Sequence, residues 1–167
     1  MFDLALIETI QSYRQPLLDA IMIAFSTLGG DLAYMAAIPL LYWLVSREKA
    51  YRLAVVFIWA VWLNVALKEW VGSSRPEMFP QVVALLPAGG PGFPSGHAQA
   101  SIAFWGWLMV EFRKPWLYLL GTLMILGISF SRLYVGAHFL GEDVLGSPAV
   151  AFRGFAITFI HAEPVPV

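Results

Sequence analysis

Long apolar segments alternate with short polar connections along most of the chain. Residues 2–13 mix apolar side chains with Asp3, Glu8 and Gln11, a pattern typical of a short membrane-surface helix. Six apolar segments follow, at residues 17–28, 32–45, 53–71, 95–112, 116–130 and 144–160. The first two are shorter than the roughly 20 residues that span a bilayer, so we expect a helical pair extending into its flanks. The pattern predicts an all-α, polytopic membrane protein: a six-helix transmembrane bundle with a short N-terminal interfacial helix.

One long connection separates the third and fourth segments. Residues 72–94 are rich in glycine and contain five prolines, so this stretch cannot form a span. No internal repeat and no second hydrophobic unit is visible, and residues 1–167 are predicted to form a single integral-membrane domain.

The composition supports a membrane location. Hydrophobic residues make up 59% of the chain and charged residues 13%, whereas soluble domains carry about 25% charged residues. The formal net charge of -1, without a long basic run, gives no sign of nucleic-acid binding. The chain has no cysteine, which excludes disulfides and thiolate metal sites.

The basic residues suggest an orientation in the membrane. With six spans, one face receives six of the ten and the other face receives three, while Arg153 lies within the last segment and is not counted. The richer face, predicted to be cytoplasmic by the positive-inside rule, carries Arg14, Arg47, Lys49, Arg52, Arg113 and Lys114. The opposite face carries Lys68, Arg75 and Arg132. We therefore expect a bacterial-type cytoplasmic membrane protein whose site opens away from the cytoplasm.

Three clusters of polar residues fall on that outer face, at residues 68–76, 94–97 and 131–143. Taken alone, most of these residues have an ordinary interpretation, such as an interface anchor or a helix cap. Their coincidence on one face favours a function instead, because ionisable residues beside a bilayer are costly.

Five residues of these clusters suit a bound phosphate. Lys68, Arg75 and Arg132 supply positive charge, and the planar fork of arginine matches phosphate oxygens. Ser95 is a good N-cap for the fourth segment, and Gly96 lets the backbone approach a ligand. Free N–H groups at the start of that helix are expected to point at the phosphate.

Two histidines suit the two halves of a phosphoryl transfer. One of His97 and His138 can attack phosphorus, and the other can protonate the leaving oxygen. A carboxylate next to His138 would fix its tautomer and stabilise positive charge on the ring. Metal catalysis is disfavoured because the sequence offers no recognisable ligand set, so no cofactor or metal is predicted.

These motifs resemble the signature of the type 2 phosphatidic acid phosphatases, a family of membrane lipid phosphatases. Lys68 precedes Arg75-Pro76 by the family's six residues, the Pro-Ser-Gly-His motif is intact at 94–97, and Ser131-Arg132 precedes His138 by five. The resemblance implies six transmembrane helices and an extracytoplasmic site. It also implies that His138 is the nucleophile, that His97 protonates the leaving group, and that Lys68, Arg75, Ser95, Gly96 and Arg132 hold the phosphate.

The end of the third motif departs from the family pattern, which has an aspartate four residues after the nucleophile. Glu142 stands at that spacing, and Asp143 comes one residue later. Spacing favours Glu142, since it would share a helical face with His138. The following residues 144–146 resemble those after the family's aspartate, and a one-residue bulge near Gly141 would allow that pairing. We expect Asp143 to support His138, with Glu142 as the alternative carboxylate.

The sequence thus predicts metal-independent hydrolysis of a membrane lipid phosphate or diphosphate through a phosphohistidine. Undecaprenyl diphosphate, phosphatidic acid and phosphatidylglycerol phosphate all fit this description. The alternatives are a lipid or anion carrier, a vanadate-dependent haloperoxidase, whose known relatives are soluble, and a membrane scaffold whose altered carboxylate has impaired catalysis.

Overall fold

The computed structural model describes residues 4–86 and 88–144, with Asp143 and Val144 described only by their backbone. Its α-helices are α1 (Leu4–Ser12), α2 (Pro16–Leu28), α3 (Asp31–Leu44), α4 (Arg47–Val71), α5 (Gly96–Phe112), α6 (Pro115–Tyr134) and α7 (Leu140–Val144). A single 3-10 turn, Pro76–Met78, interrupts the long connection between α4 and α5. All regular structure in the described part of the chain is helical, as predicted. The sixth apolar segment lies almost wholly outside the described residues.

The predicted count of six transmembrane helices is not confirmed. By length and composition, α4 and α6 are each able to cross a membrane. The helices α2 and α3 are bent by 54° at their junction and could together form a third span. Large apolar side chains on these helices face outward, with Leu32 82% and Trp70 83% exposed, as expected of a surface that contacts lipid.

Capping residues determine where α4 begins and ends and where α5 begins. Ser46 caps α4, its hydroxyl accepting the Lys49 N–H at 3.4 Å, so α4 starts six residues before the predicted apolar segment. Gly72 ends α4 with a φ of 59°, a left-handed conformation that glycine adopts without strain. Ser95 caps α5 in the same way, as predicted, with its hydroxyl accepting from Ala98.

The central core lies between α3, α4 and α5. Tyr34 of α3 packs its ring 5.2 Å from that of Phe57 in α4 and 5.0 Å from that of Phe104 in α5. Leu53 and Trp107 complete this buried cluster. At the end of α4 and α5 away from the polar clusters, Lys49 and Glu111 form an ion pair of 2.9 Å, which fixes the two helices antiparallel.

The predicted position of Arg14 is wrong. Arg14 pairs with Asp19 at 3.0 Å, and Asp19 in turn accepts a 2.5 Å hydrogen bond from the hydroxyl of Tyr134. Tyr134 ends α6 on the side that carries Arg132, so Arg14 lies with the polar clusters and not opposite them. The cause is that α2 and α3 form one bent pair instead of two separate spans, so the chain enters α2 at the polar end of the bundle. Among the described basic residues, four then lie at the end with the polar clusters and five lie at the opposite end.

The N-terminal helix holds the long connection against the bundle. Ile7 of α1 is fully buried against Val82 and Phe139. The side-chain amide of Gln11 donates to the carbonyls of Val83 and Tyr134 and accepts from the N–H of Val83. These contacts hold the connection at the polar end of the bundle, where α5 begins.

Candidate active site

A cavity of about 280 Å³ lies at the polar end of the bundle. Most of the predicted site residues line it, namely Lys68, Arg75, Gly96, His97, Arg132 and His138. Ser95 does not line it but is fully buried as the cap of α5. The three clusters, up to 70 residues apart in sequence, therefore meet around one space.

His138 is 2% exposed, and both of its ring nitrogens have partners. Nδ1 lies 3.1 Å from Oε2 of Glu142, and Nε2 lies 3.1 Å from Nη1 of Arg75. Because a guanidinium can only donate, Nε2 must offer its lone pair and the ring proton must sit on Nδ1, donated to Glu142. Burial, and then the positive charge of Arg75, lower the pKa of His138 well below its usual value. The ring is thus held neutral with a lone pair on Nε2.

The carboxylate that the structure describes beside His138 belongs to Glu142, the alternative that spacing favours, and not to the expected Asp143. Glu142 is the third residue of α7, and its Oε2 also accepts the N–H of Phe139 at 3.1 Å, the residue that precedes the helix. This is the fold-back that a glutamate makes at the start of a helix. It brings the carboxylate to His138 without the bulge that Asp143 would need. The side chain of Asp143 lies outside the described part of the structure.

Burial raises the pKa of Glu142, while its hydrogen bonds from Phe139 and from the hydroxyl of Ser73 lower it. The Ser73 hydroxyl lies 3.1 Å from Oε1. Both oxygens of this buried carboxylate therefore have donors.

Two of the three cations hold the connection over the cavity. Lys68 donates from Nζ to the carbonyl of Pro91 at 3.0 Å. Arg75 is 4% exposed, and its guanidinium donates to the carbonyls of Gly89, Gly90, Pro91 and Ala137. Their positive charge is thus fixed beside Nε2 of His138 by backbone dipoles.

Arg132 lies in the last turn of α6, where it is 3% exposed and donates from Nη1 to the hydroxyl of Ser26 in α2. Its carbonyl accepts the N–H groups of Ala137 and His138 at 3.0 and 3.3 Å. One residue therefore supplies a cation to the cavity and also turns the chain so that His138 faces it.

His97 differs from His138 in its surroundings. It sits in the first turn of α5 and is partly exposed in the cavity. Its ring lies against the bend between α2 and α3, where a Cβ added to Gly29 or Gly30 would come within 3.4 or 3.8 Å of it. It makes no side-chain hydrogen bond to another described residue.

Comparison with known proteins identifies the family. The sequence matches the family model of the PAP2 superfamily over residues 32–163, which is most of the chain. The chain belongs to the PAP2 superfamily. The resemblance predicted from three motifs is confirmed, and so is the prediction of a phosphatase.

Curated relatives in this superfamily include lipid phosphatases. The chain is 27% identical to the lipid A 4'-phosphatase of Bacteroides thetaiotaomicron, over 95% of this chain and 76% of the relative. It is 28% identical to phosphatidylglycerophosphatase B of Bacillus subtilis, over 86% and 75% of the two chains. The undecaprenyl-diphosphatase of Sulfolobus acidocaldarius is 27% identical over 87% and 71%.

Solved structures share the fold. The crystal structure of LpxE from Aquifex aeolicus superposes with a TM-score of 0.83, at 24% identity, over 95% of this chain and 94% of that one. A transmembrane PAP2-type phosphatidylglycerolphosphate phosphatase from Bacillus subtilis gives 0.81, at 24% identity, over 94% and 82%. Together with the family match, the apolar helices described above show that this PAP2 protein is an integral membrane protein.

Several polar residues at or near the PAP2 site were not predicted from the sequence. Asn64 of α4 donates to the side chain of Gln99 in α5 at 2.8 Å and to the carbonyl of Pro94, while Gln99 donates to the carbonyl of Ala60. This buried pair joins the two helices that carry Lys68 and His97. An amide inside an apolar segment is a signal that could have revealed it, since polar residues within membrane helices need partners. Ser26 and Ser73 carried no such signal, because serine is common at helix ends.

Proposed function

We propose that this PAP2 superfamily member hydrolyses a membrane lipid phosphate or diphosphate, without a metal ion, through a phosphohistidine at His138. One observation carries the proposal. His138 is neutral, carries its proton on Nδ1 and has its Nε2 at a cavity that His97 and three cations also line. The Nε2 lone pair accepts from Nη1 of Arg75, a donor that a bound phosphate oxygen would take over before the attack. This is the arrangement expected of a nucleophile with a separate proton donor.

The phosphate is held by charge and by the start of a helix. Lys68, Arg75 and Arg132 line the cavity that the phosphate enters, and their positive charge attracts it. Ser95 contributes as the cap that starts α5 at the cavity, and Gly96 leaves the backbone open to the ligand. Negative charge on the phosphate offsets the three cations and so favours the protonated form of His97.

In the first step, Nε2 of His138 attacks phosphorus in line with the leaving oxygen. The bond from phosphorus to that oxygen breaks, and His97 donates a proton to it. The His138 ring now carries a positive charge, which Glu142 stabilises through the proton on Nδ1.

In the second step, His97 acts as a base. It takes a proton from a water molecule that attacks phosphorus, and the phosphorus–nitrogen bond breaks. Inorganic phosphate is released, and His138 returns to the neutral form with its proton on Nδ1. No three histidine or carboxylate side chains in the described residues come together as a metal-binding group, and neither step uses one.

The substrate is a lipid whose headgroup ends in phosphate or diphosphate. The names of the relatives include phosphatases of lipid A, phosphatidylglycerol phosphate and undecaprenyl diphosphate, which support this class. We propose that the site faces outward from a bacterial-type cytoplasmic membrane. Of the basic residues in the described part of the chain, four lie at the site-bearing end and five at the other end, and three of those four line the cavity.

The test is phosphate release by the purified protein in detergent from phosphatidic acid, phosphatidylglycerol phosphate and undecaprenyl diphosphate, with and without a chelator. We expect release from at least one of these lipids, unchanged by the chelator and absent in His138→Ala. Release that the chelator abolishes would contradict the metal-independent route. Transport of a labelled lipid across vesicles without any phosphate release would instead support a carrier.

A further inference from the structure

Ser73 connects three parts of the site although it is not one of the residues predicted to bind phosphate or transfer protons. Its hydroxyl donates to Oε1 of Glu142 at 3.1 Å and accepts the N–H of Phe93 at 2.6 Å. Its carbonyl accepts the N–H of Gly92 at 3.0 Å. The stretch after α4, the stretch before α5 and the start of α7 therefore meet at this one residue.

The Glu142 carboxylate also packs closely against backbone. A Cβ added to Gly92 would lie 2.8 Å from the carboxylate carbon of Glu142, closer than real Cβ atoms approach a neighbour. The backbone N–H of Ser95 also donates to the carbonyl of Glu142 at 3.3 Å. The carboxylate is thus confined by contact with Gly92 and oriented by the Ser73 hydroxyl.

The two carboxylate oxygens of Glu142 accept from different donors. Oε1 is occupied by Ser73, while Oε2 receives both Nδ1–H of His138 and the N–H of Phe139. Without a donor at Oε1, rotation of the carboxyl group would no longer be opposed on that side, and the alignment of Oε2 with His138 would be lost. The hydroxyl therefore acts on His138 through Glu142.

We propose that Ser73 is a positioning residue, which holds the Glu142 carboxylate so that its Oε2 accepts the Nδ1–H of His138. The catalytic consequence rests on the proposed function, whereas the effect on the hydrogen bond from Nδ1–H to Glu142 does not. The glycine at position 92 supports the same geometry by leaving room for the carboxylate.

A pH effect follows from the charges around Glu142. It faces His138 from the turn after α6, Arg75 from the connection and Lys68 from α4, and the hydroxyl of Ser73 donates to it. Because the Ser73 hydrogen bond lowers the pKa of Glu142, its removal should raise that pKa further. A larger share of Glu142 is then protonated at mildly acidic pH and cannot accept from Nδ1.

The experiment compares Ser73→Ala, Ser73→Thr and Ser74→Ala in the purified full-length protein. Ser74 is an exposed neighbour with no described side-chain hydrogen bond, so it is the matched control. With phosphatidic acid, phosphatidylglycerol phosphate or undecaprenyl diphosphate in detergent, whichever supports release, we expect Ser73→Ala to lower kcat about tenfold, as outer partners of a reacting histidine do. KM should stay within about twofold, and the acid limb of kcat should move to higher pH.

A second measurement needs no substrate. Proton and nitrogen-15 NMR of the histidine rings, with His138 assigned by its absence in His138→Asn, reports how strongly Nδ1–H is hydrogen-bonded, because the proton signal moves downfield as that bond strengthens. We expect a downfield Nδ1–H signal in the parent and in Ser74→Ala, an upfield shift in Ser73→Ala, and recovery in Ser73→Thr. Gly92→Ala, which pushes the carboxylate away, should give the same upfield shift.

The two measurements separate two possible failures. If no lipid phosphate is hydrolysed but the Nδ1–H signal shifts as described, the proposed function fails and the positioning role stands. If Ser73→Ala keeps the parent Nδ1–H signal and the kinetics of Ser74→Ala, the positioning role is overturned. A loss in Ser73→Ala that Ser73→Thr does not recover, with the Nδ1–H signal of His138 unchanged, would also overturn it.

Discussion

The two histidines of the site occupy opposite kinds of surroundings. His138 is 2% exposed, and its two ring nitrogens are fixed between Glu142 and Arg75. His97 is partly exposed, lies against the bend between α2 and α3, and makes no side-chain hydrogen bond to another described residue. A nucleophile gains from a fixed tautomer and direction, whereas an acid that becomes a base must exchange its proton with the substrate and with water. The difference therefore matches the two roles.

The largest expected effect comes from removing the fixed histidine. His138→Ala should lower phosphate release by about 10⁴-fold or more, because no other described side chain offers a lone pair at that point of the cavity. Steady-state release from the active lipid measures it. Residual activity within tenfold of the parent would assign the nucleophile elsewhere.

The partly exposed histidine should matter in a different way. His97→Ala should lower kcat about 10²- to 10⁴-fold with a lipid whose leaving group is a poor alkoxide, since that oxygen needs a proton. Formation of the phosphoenzyme from p-nitrophenyl phosphate, whose leaving group needs no proton, should be nearly unchanged. A rapid-quench measurement distinguishes the two cases, and equal losses with both substrates would contradict the assigned role.

Glu142 is a further difference between the two histidines, because it is hydrogen-bonded to His138 and not to His97. Glu142→Gln should lower kcat about 10- to 100-fold, because a neutral amide stabilises the charged His138 ring less than a carboxylate does. Asp143→Asn is the matched change one residue along, and it should stay near the parent rate. The reverse ranking of the two variants would restore Asp143 as the supporting carboxylate.

Much of the site could be predicted from the sequence, but the choice between Glu142 and Asp143 could not. Residue spacing identified both histidines and the three cations, because each lies in a short motif at the end of an apolar segment. The carboxylate depends on where α7 starts, and a start after Phe139 makes Glu142 the residue that folds back. The sequence stretch around Gly141 allows other starts.

The fold was predictable to a similar degree. The pattern of apolar residues identified α4, α5 and α6, although it missed the charged first turns of α4 and placed Arg132 after α6 instead of within it. It did not reveal that α2 and α3 are one bent pair, because a Gly-Gly pair is equally compatible with a full reversal of the chain. That bend decides the position of Arg14 and forms the wall behind His97.

Removing the partner of the buried Arg132 should have a smaller effect, and on substrate binding. Ser26→Ala removes the hydroxyl that accepts from Arg132, so the guanidinium is held less firmly toward the cavity. We expect KM to rise about tenfold, in line with loss of a hydrogen bond to a charged group, with kcat changed less. Thr27→Val, which alters an exposed hydroxyl on the next residue, should leave KM unchanged in the same assay.

The smallest expected effect is a shift in the pH at which His138 takes up a proton. Since burial and Arg75 lower the pKa of His138 below its usual value of 6.5, the ring should remain neutral at pH 6.5 and take up a proton only at lower pH. Arg75→Gln should raise the midpoint toward 6.5, whereas Arg113→Gln, at the far end of the bundle, should not. Nitrogen-15 NMR titration of the substrate-free protein provides the measurement, and a midpoint unaffected by Arg75→Gln would contradict the stated cause.

The central claim is a covalent bond between phosphorus and Nε2 of His138, and it can be tested by quenching the protein with a phosphorus-32-labelled lipid substrate. The account predicts a label that is stable to alkali and labile to acid, maps to the peptide containing His138, and is absent in His138→Asn. It should accumulate in His97→Ala when the leaving group is p-nitrophenolate, because the second step then lacks its base. A parent enzyme that turns over at full rate while no label forms on His138 under any quench would contradict the account.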